Sequence, residues 1–195
     1  MSAERPRPLT LLLGLTLAAA VLVVQALLAE PTRQRERRAA LGDLAALAAP
    51  VTFDNDPFDA VQELRTRPPT PGLNATLVQA MPLRTGDRQV GLVVDARATG
   101  YVDQIVLRVA FAADGRVLGT RVLTQRETAG LGRRLVDSDW LRRFTNRIVD
   151  AGDQRWRLRR DGGEVDQITG ATVTSRAALH ALLLAASVEL PASAP

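Results

Sequence analysis

Between Asp166 and Ser175 the chain reads Asp166-Gln167-Ile168-Thr169-Gly170-Ala171-Thr172-Val173-Thr174-Ser175, hydroxyl side chains set around a Gly-Ala pair. Thr, Gly and Ala are small, so a bulky group can reach the Thr172 hydroxyl without steric conflict. Gly170 is open to backbone angles that a β-carbon disfavours. An Ala/Leu-rich segment follows. If its helix starts near Thr174 or Ser175, unpaired N–H groups point back at this turn and form a seat for an anion such as phosphate. The same residues also suit a plain Ser/Thr helix cap after a turn.

Composition removes most other chemistry. The chain has no Cys, which excludes disulfides, thiol chemistry and iron–sulfur ligation. Its one histidine, His180, makes neither a histidine-rich metal site nor a triad of the usual kind, and its place in the Ala/Leu segment suits a packed helix residue. Any redox role therefore needs an organic cofactor. Every basic residue is Arg, and the net charge of +4 is modest. Pairs such as Arg133-Arg134, Arg142-Arg143 and Arg159-Arg160 suit phosphate or anionic lipid, but acids separate them and aromatic residues are few. That pattern argues against a nucleic-acid partner.

The elements that must position the Thr172 segment are legible in order. Leu9 to Ala29 carries no charge, and as a helix it is about 31 Å long, enough to cross a hydrocarbon core of ~30 Å. An uncleaved membrane anchor is the expectation, with a cleaved signal peptide ending near Ala29 as the competitor. Residues 32 to 49 read as a helix with Leu41, Leu44 and Ala48 on one side, ended by Pro50. Thr52 to Asp59 is acidic and turn-rich, and Arg67-Pro68-Pro69-Thr70-Pro71-Gly72 is a stiff connector. From residue 88 strands are expected: Val90, Leu92 and Val94 alternate, as do Ile105, Leu107, Val109 and Phe111. Asp114-Gly115 is a hairpin turn into Val117–Leu123.

Ser138 is placed to cap a helix with Leu141, Phe144 and Ile148 on its apolar side, and Trp140 with Phe144 reads as core. Trp156 and Leu158 alternate with Arg155, Arg157 and Arg159 as in a one-sided strand, and Asp161-Gly162-Gly163 turns the chain. The last helix, Thr174 to about Leu190, is too short and too closely flanked by polar residues for a second span, so it belongs on the sheet. The expected fold is α+β: an N-terminal transmembrane helix, then an antiparallel sheet packed against helices. Its divisions are a tail over 1–8, the span over 9–29, a helical stalk and linker over 30–72 and the main domain over 73–195.

Asp166-x-x-Thr169-Gly170-Ala171-Thr172 resembles the flavinylation motif of the FMN-binding subunits of the Rnf and Na⁺-translocating NADH:quinone reductase complexes. Glu127-Thr128-Ala129-Gly130-Leu131-Gly132 is similar to that family's Glu-Thr-Pro-Gly-Leu-Gly segment, and Gly100-Tyr101 to its Gly-Tyr signature. Departures are Ala129 for proline, Gln125 for a common histidine and Asp103 for a usual glycine. The resemblance runs over roughly residues 90 to 188 and is strongest to the G subunits of Rnf (Rsx) complexes.

It implies FMN joined covalently through its phosphate to Thr172 by a flavin transferase, with Asp166, Thr169, Gly170 and Ala171 as the recognition pattern. It also implies a flavin-side loop in which Thr128 and the backbone around Gly130 and Leu131 bond the ring while Glu127 braces. The chain would then be an electron-relay subunit with no complete reaction alone, partnered by other membrane subunits and the bilayer. It would sit in the bacterial inner membrane with its main domain on the periplasmic side. A bare positive-inside count gives the opposite orientation, since Arg33, Arg35, Arg37 and Arg38 outnumber Arg5 and Arg7. Two alternatives remain open: a flavin-free anchored assembly module, and a flavinylated component of another extracytoplasmic redox system.

Overall fold

The computed structural model describes residues 17, 23, 32–62, 73–124, 133–137 and 139–188. Of the expected span over 9–29, Leu17 and Val23 are described, both helical, and the rest lies outside the described residues with the tail and the 67–72 connector. Among the described residues no helix is long and apolar enough to cross a membrane. The chain divides into two units, Met1–Asp43 and Leu44–Pro195; the sheet and the Thr172 segment belong to the second.

Helix α1 covers residues 32–48, rich in the good helix formers Ala, Leu and Arg. It stops before Pro50 because a residue preceding proline is pushed out of the helical region. Four antiparallel strands follow: β1 (Ala75–Thr85), β2 (Arg88–Thr99), β3 (Gln104–Ala112) and β4 (Val117–Thr124), in the order β1-β2-β3-β4. The expected hairpin is present at Asp114-Gly115, where Gly115 takes φ +82° and Asp114 Oδ1 accepts from the Arg116 N–H at 3.1 Å. One face of the sheet buries Leu92, Val94, Ile105, Leu107 and Val109 with Leu179 and Leu182. The other buries Met81, Leu83, Val93 and Ala110 with Leu44 and Ala48 of α1.

Strand β1 is not anticipated by the sequence pattern. Pro82 and the polar Thr76, Gln79 and Arg84 break its alternation. It is an edge strand, where a proline's missing donor is tolerated. Its free edge is covered: Gln62 and Ala80 exchange backbone bonds of 2.9 and 3.0 Å, and Asn55 donates to the Pro82 carbonyl at 3.0 Å.

Helix α2 is short, Arg133–Asp137. Two further expectations are corrected. The helix placed after Ser138 is a 3₁₀ turn over Leu141–Phe144, and Ile148 is 57% exposed while Val149 is buried. Ser138 itself lies outside the described residues. Asn146 takes φ +61°, its N–H donates to the Val117 carbonyl at 2.7 Å and the Val117 N–H donates to the Arg147 carbonyl at 2.9 Å. The start of β4 thus pulls this segment out of helical register. Residues 155–159 form no strand either. Two 3₁₀ turns, Gln154–Trp156 and Arg159–Asp161, flank Leu158, which bridges Val165. Local side-chain capping by Asp153, which accepts from the Arg155 N–H at 2.9 Å, wins over the alternating pattern. Gly163 is obligatory there, since a β-carbon would collide with the Arg157 carbonyl.

The last helix, α3, runs Thr172–Ala186 and lies against β1, β2 and β3, as expected of a core helix. Its small residues Ala177, Ala178, Ala181 and Ala185 are buried and permit close approach to the sheet. It begins two residues before the expected start, and this shift sets the geometry at Thr172.

Candidate functional site

Ile168 to Ala171 form a turn closed by the Ala171 N–H on the Ile168 carbonyl at 2.9 Å, with Gly170 at φ +78°. A side chain at that third position would be strained, so glycine is the fitting residue. Thr172 is then the first residue of α3, and the preceding Ala171 offers no side-chain cap. Ser175, fully buried, ties the turn to the helix without capping it: its Oγ accepts from the Ile168 N–H at 3.0 Å and donates to the Ala171 carbonyl at 2.9 Å. The serine read as a helix-start residue is therefore a clamp inside the first turn, holding turn and helix together.

The rest of the motif is held from behind. Trp140 Nε1 donates to the Asp166 carbonyl at 2.6 Å, and Arg143 donates to the same oxygen at 3.2 Å. Arg159 pairs with the Asp166 carboxylate at 2.9 Å, and Arg134 donates to the Thr169 carbonyl at 2.7 Å. Trp140 and Phe144 are buried and meet edge to face at 5.3 Å, core as expected. The Ile168, Thr169 and Ala171 carbonyls are bonded elsewhere, and the Thr172 hydroxyl has no hydrogen-bond partner among the described residues.

An open cleft of about 550 Å³ lies at this turn, walled by Tyr101, Arg160, Gln167, Thr169, Gly170, Ala171, Thr172, Val173 and Thr174. That volume is in the range of small-molecule sites. Of the sequence-predicted residues, Thr169, Gly170, Ala171 and Thr172 converge here. Asp166 is not on the wall; its carboxylate goes to Arg159, so it braces the turn. Glu127, Thr128, Gly130 and Leu131 lie outside the described residues.

Five wall residues were not read as site residues, and three of them, Tyr101, Arg160 and Gln167, bring groups that could meet a ligand. Tyr101, 66% exposed, brings an aromatic face from the β2–β3 connection. Among the described residues Arg160 is the one charged group on the wall. Gln167 holds its Oε1 buried with no hydrogen-bond donor among the described residues. An acceptor kept dry and unpaired costs about 1–3 kcal/mol, which a ligand's donor would recover. Gln167 lies within the motif, but no spacing rule links Tyr101 or Arg160 to it across the sequence.

The cleft fits FMN by this chemistry: an aromatic face for a planar ring, an unsatisfied acceptor for its N–H or hydroxyl donors, and a cation with an uncapped helix start for its phosphate.

A second cavity, about 380 Å³, shares no wall residue with the first and is lined by Leu73, Trp156, Leu179, His180 and the ion pair of Asp161 with Arg176. His180 Nδ1 accepts from the Asn74 N–H at 3.2 Å, which requires the ring neutral at that atom. Burial, then the Arg176 charge, push the His180 pKa below its usual value, while Asp161 pulls weakly upward. The unfolded chain thus binds more protons than the folded one as pH falls below about 6.5. Stability drawn from the neutral ring is complete above that pH and is lost as pH falls through the depressed pKa. Melting temperatures taken from about pH 7.5 down to about pH 5.5 are expected to fall, and the fall to be shallower in His180→Gln. Parallel curves for the two chains would refute the assignment to His180.

Residues 100–187, which include every wall residue of the larger cleft, match the family model of the FMN-binding domain. The chain is 38% identical over 137 residues to the G subunit of the ion-translocating oxidoreductase complex of Cronobacter sakazakii, a match covering 68% of this chain and 64% of that one. The protein of the same name from Pseudomonas aeruginosa is 35% identical over 161 residues, covering 81% and 73%. That from Cereibacter sphaeroides is 34% identical over 174 residues, covering 86% and 76%. An FMN-binding domain, a cleft at its hydroxyl motif and these relatives agree: the chain belongs to the family of G subunits of ion-translocating oxidoreductase complexes.

Proposed function

We propose that this protein is the membrane-anchored electron-relay subunit of an Rnf-type ion-translocating oxidoreductase complex, carrying FMN covalently through phosphate on Thr172 Oγ. The observation that carries the reading is the position of Thr172: the first residue of an uncapped helix, its hydroxyl unpartnered among the described residues, on the wall of the cleft.

When bound, the flavin supplies one- and two-electron chemistry. The chain does the rest. Thr172 accepts the phosphoryl group: its oxygen gains the bond to phosphorus, its proton leaves to a base of the transferase, and the flavin donor gives up the group it carried there. An unassisted threonine hydroxyl is a poor nucleophile, so the activating base and metal belong to that separate transferase. Tyr101 offers its face to the ring, and Gln167 Oε1 takes a hydrogen bond from it or from the ribityl chain. Asp166, Trp140 and Ser175 hold the turn in place.

A covalent tether suits an extracytoplasmic site where free flavin is scarce, because a reversible site empties when ligand falls below its dissociation constant. The uncharged stretch Leu9–Ala29 is the proposed anchor in the inner membrane, with the flavin domain on the periplasmic face and other membrane subunits of the complex as its electron partners.

The test is intact mass together with in-gel fluorescence of denatured full-length protein from cells containing the transferase. The expected mass exceeds the polypeptide by FMN less one water. An unmodified, non-fluorescent chain from those cells would reduce the protein to a flavin-free scaffold and sink the proposal.

A further inference from the structure

Among the described residues, the arginines in and around the Thr172 segment are engaged with one exception. Arg159 pairs with Asp166, Arg176 holds both oxygens of Asp161 at 2.7 Å, Arg143 donates to the Asp166 carbonyl and Arg134 to that of Thr169. Arg160 forms no hydrogen bond or ion pair among the described residues, and it is the charged residue on the cleft wall. The carboxylate its charge acts on is that of Asp161, the next residue, and Arg176 holds that carboxylate in a two-pronged pair. Its backbone is set by the 3₁₀ turn Arg159–Asp161, tied to the Val165 carbonyl through the Arg159 N–H at 2.9 Å. The guanidinium is thus anchored at its base, exposed at its tip and unclaimed.

We propose that Arg160 is the counter-ion of the phosphoryl group on Thr172, closing the phosphate seat that the uncapped start of α3 leaves open. This rests on the flavin reading above. A phosphate joined to both flavin and threonine keeps one negative charge. The start of α3 meets it with the partial positive charge of its N–H groups, and one guanidinium supplies the full charge and two parallel donors. With the phosphate gripped at both ends, the ribityl chain swings from a fixed point and the ring keeps its place in the cleft. Without Arg160 the ester bond remains but the flavin hangs from a single rotatable side chain.

The experiment uses full-length wild type, Arg160→Gln and Arg160→Lys, each made in cells containing the transferase. It reads intact mass, the phosphorus-31 resonance of the linked phosphate and the fluorescence anisotropy of the flavin. Arg160 is exposed, so the melting temperature is expected to be unchanged. In Arg160→Gln the phosphorus line should narrow several-fold, lose its dependence on salt and be joined by a drop in anisotropy, with Arg160→Lys between the two. Failure of Arg160→Gln to take flavin, with recovery in Arg160→Lys, would place Arg160 in the attachment step and overturn its role as counter-ion of the finished linkage. Identical phosphorus signals and anisotropy in wild type and Arg160→Gln would overturn the proposal, as would loss of attachment in both variants alike. A wild-type chain without flavin would instead sink the function itself, so the two failures are told apart by mass alone.

Discussion

A Thr172→Val chain in an otherwise intact complex is expected to carry no covalent flavin and to pass electrons no faster than membranes from which the subunit has been deleted. Valine keeps the branched shape and removes only the hydroxyl. That hydroxyl has no hydrogen-bond partner among the described residues, and the cap position belongs to Ala171, so stability should change by no more than about 0.5 kcal/mol. Loss of flux with an unchanged melting curve then separates loss of cofactor from loss of fold. Thr172→Ser retains the oxygen at the same helix position and should keep attachment, though a freer side chain presents it less uniformly. Electron flux in isolated membranes, with in-gel fluorescence of the subunit, makes both comparisons. Full flux through Thr172→Val would mean that the relay does not pass through this residue.

The second large effect is expected at Trp140, outside the cleft. Its ring is 4% exposed and packs edge to face on Phe144, while its Nε1 donates to the Asp166 carbonyl at 2.6 Å. Trp140→Ala removes a buried indole and should cost about 3–5 kcal/mol. Trp140→Phe keeps most of the packing but strands the Asp166 carbonyl on Arg143 alone, and should cost about 1–3 kcal/mol. Because that carbonyl opens the motif, flavin attachment should fall in Trp140→Phe while the chain remains folded. Urea midpoints measure the first effect, and the flavin-to-protein ratio of folded material the second. If Trp140→Phe attaches flavin as fully as wild type, the turn does not depend on this bond and Ser175 suffices to hold it.

Periodicity carried the regular elements. Strands β2 and β3 announce themselves because one residue in two must be apolar, and Asp114-Gly115 because its turn needs a glycine, here at φ +82°. Pro50 halts α1 through sterics confined to its own neighbourhood. Where local and distant forces compete, the pattern misled. The apolar spacing of Leu141, Phe144 and Ile148 suits a helix, yet the Asn146 N–H donating to the Val117 carbonyl and the Val117 N–H donating to the Arg147 carbonyl hold the segment as a 3₁₀ turn. β1 was masked by the proline that only an unpaired edge can accept.

The hydroxyl motif, the absence of thiols and the glycine that turns the chain at residue 170 are properties of the sequence by itself, because each depends on covalent structure or on angles within a few residues. They leave an organic cofactor as the redox option and, through the family resemblance, make Thr172 the proposed attachment point. Tertiary structure alone decided that Tyr101 and Arg160 share a wall with it, and that Asp166 faces Arg159 instead. Those two residues come from segments apart from the motif, and their meeting with it follows from how α3 seats on the sheet and how the 3₁₀ turns fold back beside it. Contacts between distant segments are set by packing, which no local spacing records.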